Sequence, residues 1–157
     1  MTERSVTHAT FRIERVYDAK PARVFRAWAD PEVKARWFRG PGEWRRDAYQ
    51  LDFRVGGTER LSGGMPGAPM HVYTAAYRDI VPDQRIIMVY DMHAGETRIS
   101  VSLATIEVTP EGKGTRLVFT EQGAFLDGYD DAGGRERGTM ELLDKLDVEL
   151  RRSVTAG

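Results

Sequence analysis

The chain has no cysteine and no asparagine, and only three histidines. Without thiols there can be no disulfide, no thiolate metal site and no cysteine nucleophile. A cysteine-free chain also suits a reducing cytoplasm, which is the expected location. His8, His71 and His93 stand alone, with no pair at i, i+2 or i, i+4 and no carboxylate at ligand spacing, so no metal is expected. His71 opens a strand beside a Gly/Pro-rich loop, and a surface position is the expectation there, with the mouth of a cavity as the alternative. No apolar run reaches the ~20 residues of a membrane span. The opening residues, MTERSVTHATFRIERVY, intersperse charges and contain no apolar signal segment. Net charge is −1, and the only basic pairs are Arg45–Arg46 and Arg151–Arg152, so the basic stripe of a nucleic-acid binder is missing. Lysine is scarce beside arginine, which reads as coding bias.

Familiar catalytic motifs are missing too. No G-x-S-x-G occurs, and no strand-to-helix elbow follows Ser62-Gly63-Gly64. Gly40-x-Gly42 has Arg45 where a dinucleotide loop needs its third glycine, and it follows a helix rather than a strand. No cofactor is expected.

What is present is an ordinary globular composition, 41% hydrophobic and 30% charged over 157 residues, enough for one domain with one core. Period-2 alternation predicts a first strand over Thr7–Tyr17. Lys20-Pro21 opens a short helix to about Trp28, and Asp30-Pro31 caps a second one that buries Val33 and Trp37. After Gly40-Pro41-Gly42 the pattern predicts a strand over Tyr49–Val55, a turn at Gly56-Gly57 and a continuation over Thr58–Leu61. Asp52 and Arg54 share a face there and suggest a structural ion pair. Ser62–Pro69 reads as a loop. His71–Val81, Arg85–Met92, Thr97–Val108 and Thr115–Gln122 read as antiparallel strands joined by short turns, with a bulge near Ala104–Ile106.

Gly123–Gly134 reads as irregular, and a final helix is expected from Arg135 to Val154. Its stripe is Thr139, Leu142, Leu143, Leu146 and Leu150, with i, i+4 pairs at Glu141–Lys145 and Asp147–Arg151. The fold class is therefore α+β. A curved antiparallel sheet of about six strands grips a long C-terminal helix, with two short helices after the first strand, in a single domain over residues 1–157.

These residues carry a resemblance. Arg15, Ala19-Lys20-Pro21, Val24-Phe25, Trp28, Asp30-Pro31-Glu32 and Trp37-Phe38 come first. Asp52-Phe53-Arg54-Val55-Gly56-Gly57, Val81-Pro82 with Arg85-Ile86, Gly114-Thr115-Arg116-Leu117, Thr120-Glu121, Gly123, and Leu143, Leu146 and Leu150 follow in order. Together they resemble the activator-of-heat-shock-protein-90-ATPase-like family of the START-like helix-grip superfamily. That superfamily includes lipid carriers, hormone receptors and polyketide cyclases, so the resemblance implies a fold and not an activity. Eukaryotic activators carry a further N-terminal domain for docking the chaperone. This sequence opens at the family's first strand, so chaperone activation is not the expected role.

The candidate site follows from inward positions. Trp37, Phe53, Tyr73, Tyr77, Met88, Tyr90, Phe119, Glu121, Phe125, Tyr129, Met140 and Leu143 are the expected ligand-binding set, although plain core packing explains most aromatics of this kind. Glu121 is the one catalytic candidate, as a carboxylate on the inward face. Its structural alternative is an ion pair with Arg135 or Arg137. The expected function is binding of a small hydrophobic or aromatic molecule between sheet and helix. An enzyme of the cyclase or hydrolase kind, and a module that regulates a chaperone ATPase or engages another protein, are the alternatives. A homodimer through an exposed strand edge is left open.

Overall fold

Two prolines set where the chain first turns helical. Pro21 and Pro31 each occupy the opening turn of a helix, where a missing N–H leaves nothing unpaired. The computed structural model describes residues 3–42 and 44–155. Within them, strand β1 (Val6–Tyr17) is followed by helices α1 (Pro21–Ala29) and α2 (Pro31–Trp37). The Asp30 carboxylate caps α2, accepting from the Glu32 and Val33 amides at 2.9 and 3.4 Å. Both helices are amphipathic, and Val24, Phe25, Ala27, Trp28, Val33 and Trp37 are buried.

Six further strands complete the sheet: β2 (Arg45–Leu51), β3 (Thr58–Gly64), β4 (His71–Val81), β5 (Arg85–Ala94), β6 (Thr97–Glu111) and β7 (Gly114–Leu126). The order is β1-β7-β6-β5-β4-β3-β2, antiparallel throughout. The count is seven, one more than expected, because Thr58–Leu61 is a full strand that runs on to Gly64. Consecutive strands pair through short turns, while β1 and β2 form opposite edges. Helices α1 and α2 carry the chain from one edge to the other.

Several predicted boundaries move. Strand β2 lies earlier than Tyr49–Val55, and residues 52–57 fold into a tight turn closed by Gly57 N–H to Arg54 O at 2.8 Å. Gly56 has φ +85°, and a Cβ on Gly57 would lie 2.1 Å from Asp52 O, so alternation cannot continue through Val55. The expected Asp52–Arg54 pair sits in this turn at 2.9 Å. The irregularity in β6 falls where Met92 and His93 meet Ser100 and Arg98, rather than near Ala104–Ile106, which are in regular register. It turns Ile99 and Ser100 inward in succession. Strand β7 continues to Leu126, and helix α3 (Ala132–Thr155) begins one turn before Arg135, so the irregular stretch shrinks to residues 127–131.

Helix α3 lies across the inner face of the sheet. Leu143, Leu146 and Leu150 are at most 2% exposed, and burying each stabilises the fold by roughly 1.5–3 kcal/mol. Tyr17 Oη–H donates to Leu143 O at 2.9 Å, tying β1 to the middle of the helix. Arg36 on α2 reaches Glu149 at 2.6 Å. Of the expected helical pairs, Asp147–Arg151 forms at 3.1 Å. Lys145 instead donates to the carbonyls of Arg39 and Gly40 at 3.1 and 3.0 Å, fastening the segment after α2 to the helix.

Candidate functional site

Between α3 and the sheet lies a cleft of about 960 Å³. Helices α1 to α3 and strands β2 to β7 all contribute to its walls. Trp37, Tyr73, Met88, Tyr90, Phe119 and Leu143 supply much of its apolar lining. Helix packing does not fill this space, because α3 presents Gly138 toward it. A Cβ built on Gly138 meets nothing within 4 Å.

Strand register assembles a polar cluster on the cleft wall. Glu121 on β7 faces Ala104 on β6, whose small side chain leaves room for a carboxylate. One inward position along, Ser102 on β6 pairs with Tyr90 on β5. Tyr90 Oη donates to the Glu121 carboxylate at 2.8 Å, and Ser102 Oγ donates at 2.9 Å. Arg135 enters from the first turn of α3. It donates to Tyr90 Oη at 2.8 Å, to Ser100 Oγ at 2.7 Å, and to the carboxylates of Asp130 and Glu121 at 2.7 and 3.4 Å. Its guanidinium also lies over the rings of Tyr90 and Phe125 at 5.6 and 5.4 Å.

Glu121 is 1% exposed. Burial pushes its carboxyl above the ordinary range, against the pull of Arg135, Tyr90 and Ser102. Burial likewise raises the Tyr90 hydroxyl, helped by the Glu121 charge. Burial opposes the Arg135 charge, and Tyr90, Glu121 and Asp130 outweigh it, so the guanidinium is held protonated. The result is a closed acceptor. To take a proton from a bound molecule, Glu121 would have to release one of these donors.

A second buried cluster was not anticipated from the sequence. Lys34 on α2 and Glu59 on β3 form an ion pair at 2.7 Å, at 0% and 1% exposure. Glu59 pairs across β4 with Ala75, so Tyr73 and Tyr77 flank it on the same face. Their hydroxyls donate to Glu59 at 3.2 and 2.9 Å, and Tyr49 Oη from β2 donates at 2.5 Å. Lys34 Nζ also sits over the rings of Phe38 and Trp28 at 4.5 and 5.2 Å. Burial pushes the ammonium below its ordinary range while Glu59 holds it up. Neither Lys34 nor Glu59 lines the cleft. The available signal was a lysine inside an apolar helical stripe and a glutamate at an inward strand position.

Of the twelve expected residues, eight line the cleft: Trp37, Tyr73, Met88, Tyr90, Phe119, Glu121, Tyr129 and Leu143. Four stand elsewhere. Phe53 and Tyr77 pack edge-on against each other at 5.0 Å in the core beside the Lys34–Glu59 pair. Phe125 sits under Arg135, and Met140 is partly buried against the core. Tyr129 is 54% exposed, at the rim. His71, expected at the surface, lines the cleft instead, its ring tilted against Trp44 at 4.4 Å. Burial lowers its pKa, with Asp130 raising it and Arg135 lowering it. Among the described residues no group of three His, Asp or Glu is placed to hold a metal ion. Among the described residues no helix is long and apolar enough to cross a membrane.

A long helix gripped by an antiparallel sheet, with a cleft between them, defines the START-like helix-grip class of protein. Within it, the chain belongs to the Activator of Hsp90 ATPase homolog 1-like protein family, whose profile matches residues 18–151. An uncharacterized protein from Rhizobium leguminosarum is 53% identical with a TM-score of 0.91, over 96% of this chain and 99% of that one. Mll3558 from Rhizobium loti is 49% identical with a TM-score of 0.85, over 92% and 99%. CV1439 from Chromobacterium violaceum shares the fold at 24% identity, with a TM-score of 0.78 over 90% and 96%. Among curated proteins none matches the chain.

Proposed function

We propose that this protein binds a small hydrophobic or aromatic molecule in the cleft between the sheet and α3. The observation that carries this reading is the cleft itself. Its volume of about 960 Å³ falls in the range of small-molecule sites, and its walls combine aromatic and methionine side chains with a few polar groups. Met88 and Met92 line it too, and thioethers adapt to guests of differing shape. The START-like fold is also commonly a ligand-binding one. The Glu121 cluster serves here as a rigid polar landmark rather than a base, because its donors already engage the carboxylate.

Native mass spectrometry of gently purified protein, with displacement of a neutral fluorescent apolar probe by a panel of lipids and polyketides, tests this. Probe binding that Gly138→Leu weakens by tenfold or more is the expected outcome, since that side chain enters the cleft. No co-purified species and no probe uptake would sink the reading.

A further inference from the structure

The polar groups lining the cleft divide into two sets. Glu121, Asp130 and Arg135 satisfy one another. Around the segment after α2 the balance is different. Arg39, Arg45, Arg46 and Lys145 all line the cleft, and Glu141 is the remaining carboxylate among the lining residues. Among the described residues neither Arg39 nor Arg45 makes an ion pair within 4 Å. The Arg39 charge bears on both Arg46 and Lys145, adding to burial in lowering their pKa values. Like charges that act on one another in this way repel unless an anion lies between them. The chain as a whole carries −1, so this excess is local.

Part of the cluster has a structural duty. Arg46 Nη2 donates to the carbonyls of Ala35 and Phe38 at 2.5 and 2.8 Å, and Lys145 holds those of Arg39 and Gly40. That closes the C-terminus of α2, where cations are favoured. It leaves Arg39 and Arg45 unexplained, and it leaves Arg46 Nε buried without an acceptor. The Trp28 indole N–H, on another residue lining the cleft, is also buried without one. A buried, unmet Arg46 donor on a wall with surplus cations calls for an acceptor that the described residues do not supply.

We propose that the ligand is an amphipathic anion, with a head group of the carboxylate class held at the rim by Arg39, Arg45 and Arg46 and an apolar body against Trp37, Met88 and Phe119. This rests on the ligand-binding reading above and gives it a chemical class. Arg46 supplies a preoriented N–H beside the free guanidinium groups, which suits a planar, negatively charged acceptor.

The test uses a matched pair of fluorescent probes, dansylaminoundecanoate and its primary amide, which differ by one charge. For the full chain the acid is expected to bind about tenfold more tightly than the amide. Raising ionic strength from ~0.01 to ~0.5 M should erode that advantage. The double variant Arg39→Gln/Arg45→Gln should remove most of it, with a much larger loss for the acid than for the amide. Both side chains make no described hydrogen bond, so the variant keeps the fold, which circular dichroism checks. Equal binding of acid and amide to the unmodified protein overturns the anion assignment and leaves the cleft as a neutral ligand site. Failure of both probes to bind removes the ligand-binding reading itself.

Discussion

Two buried ion pairs sit within one sheet of each other, and they are built alike. Each joins a glutamate on a strand to a cation on a helix, and each carboxylate accepts from tyrosine, three hydroxyls at Glu59 and one at Glu121. The Lys34–Glu59 pair is sealed from solvent and lies outside the cleft. The Glu121–Arg135 pair lines the cleft, and Arg135 has 9% of its side chain accessible. Similar chemistry therefore does different work according to what lies beside it. Beneath α2 it fastens a helix to strand β3. Beneath α3 it gives a ligand space one rigid polar wall.

The sharpest way to break this comparison is to remove one cation at a time. Lys34→Met strands a wholly buried carboxylate, with an expected loss of about 3–5 kcal/mol in urea unfolding. If the protein still folds, affinity for an apolar probe should be unchanged. Adding Glu59→Gln should recover most of the loss, because the amide oxygen still accepts from the tyrosines. A single variant as stable as the parent would mean that the pair holds nothing down.

Arg135→Met should show a smaller loss, about 2–3 kcal/mol, because water can reach Glu121 through the cleft and relieve the stranded charge. Unlike Lys34→Met, it should change probe affinity, and titration calorimetry on the two variants side by side checks the contrast. Identical binding phenotypes would erase the distinction between the regions.

The smallest effect concerns pH. The folded carboxyl of Glu121 sits above its ordinary 4.5, so the folded state holds this proton more tightly than the unfolded chain does. Its contribution to stability is present below pH 4.5 and is lost as pH rises through the folded value. Glu121→Gln removes that slope. Compared with the parent, the variant's unfolding free energy should therefore fall less, or rise more, between pH 4 and pH 7. A parallel dependence in both proteins would show that the carboxylate is not strained by burial.

Much of the layout was legible before any coordinates. Asp30-Pro31 announced a capped helix, and the leucine stripe at 143, 146 and 150 announced a helix laid on a sheet. Eight of the twelve anticipated residues line the cleft because inward-facing aromatics on adjacent strands converge whatever the details of register. The rest depended on contacts between distant segments. The strand was expected to run through Val55, but the chain turns at Gly56-Gly57 and Val55 is 57% exposed. Lys34 and Glu59 are 25 positions apart, and neither shows its partner in its own neighbourhood. Arg135 was one of two candidate partners for Glu121. The choice fell to it because α3 starts at Ala132, which places Arg135 in the first turn, directly over Tyr90 and Ser100.

By itself, then, the sequence determined the elements, their order and the faces they bury. Those properties follow from local conformational preference and from the spacing of apolar side chains. The tertiary structure alone decided which charges meet and which stay unmet. Electrostatic partnership depends on distance through space and on exclusion of water, and neither is encoded in any short run of residues. The cleft is the sum of both. Its apolar lining was written along the strands, and its surplus of cations at the rim appeared only when α2, β2 and α3 came together.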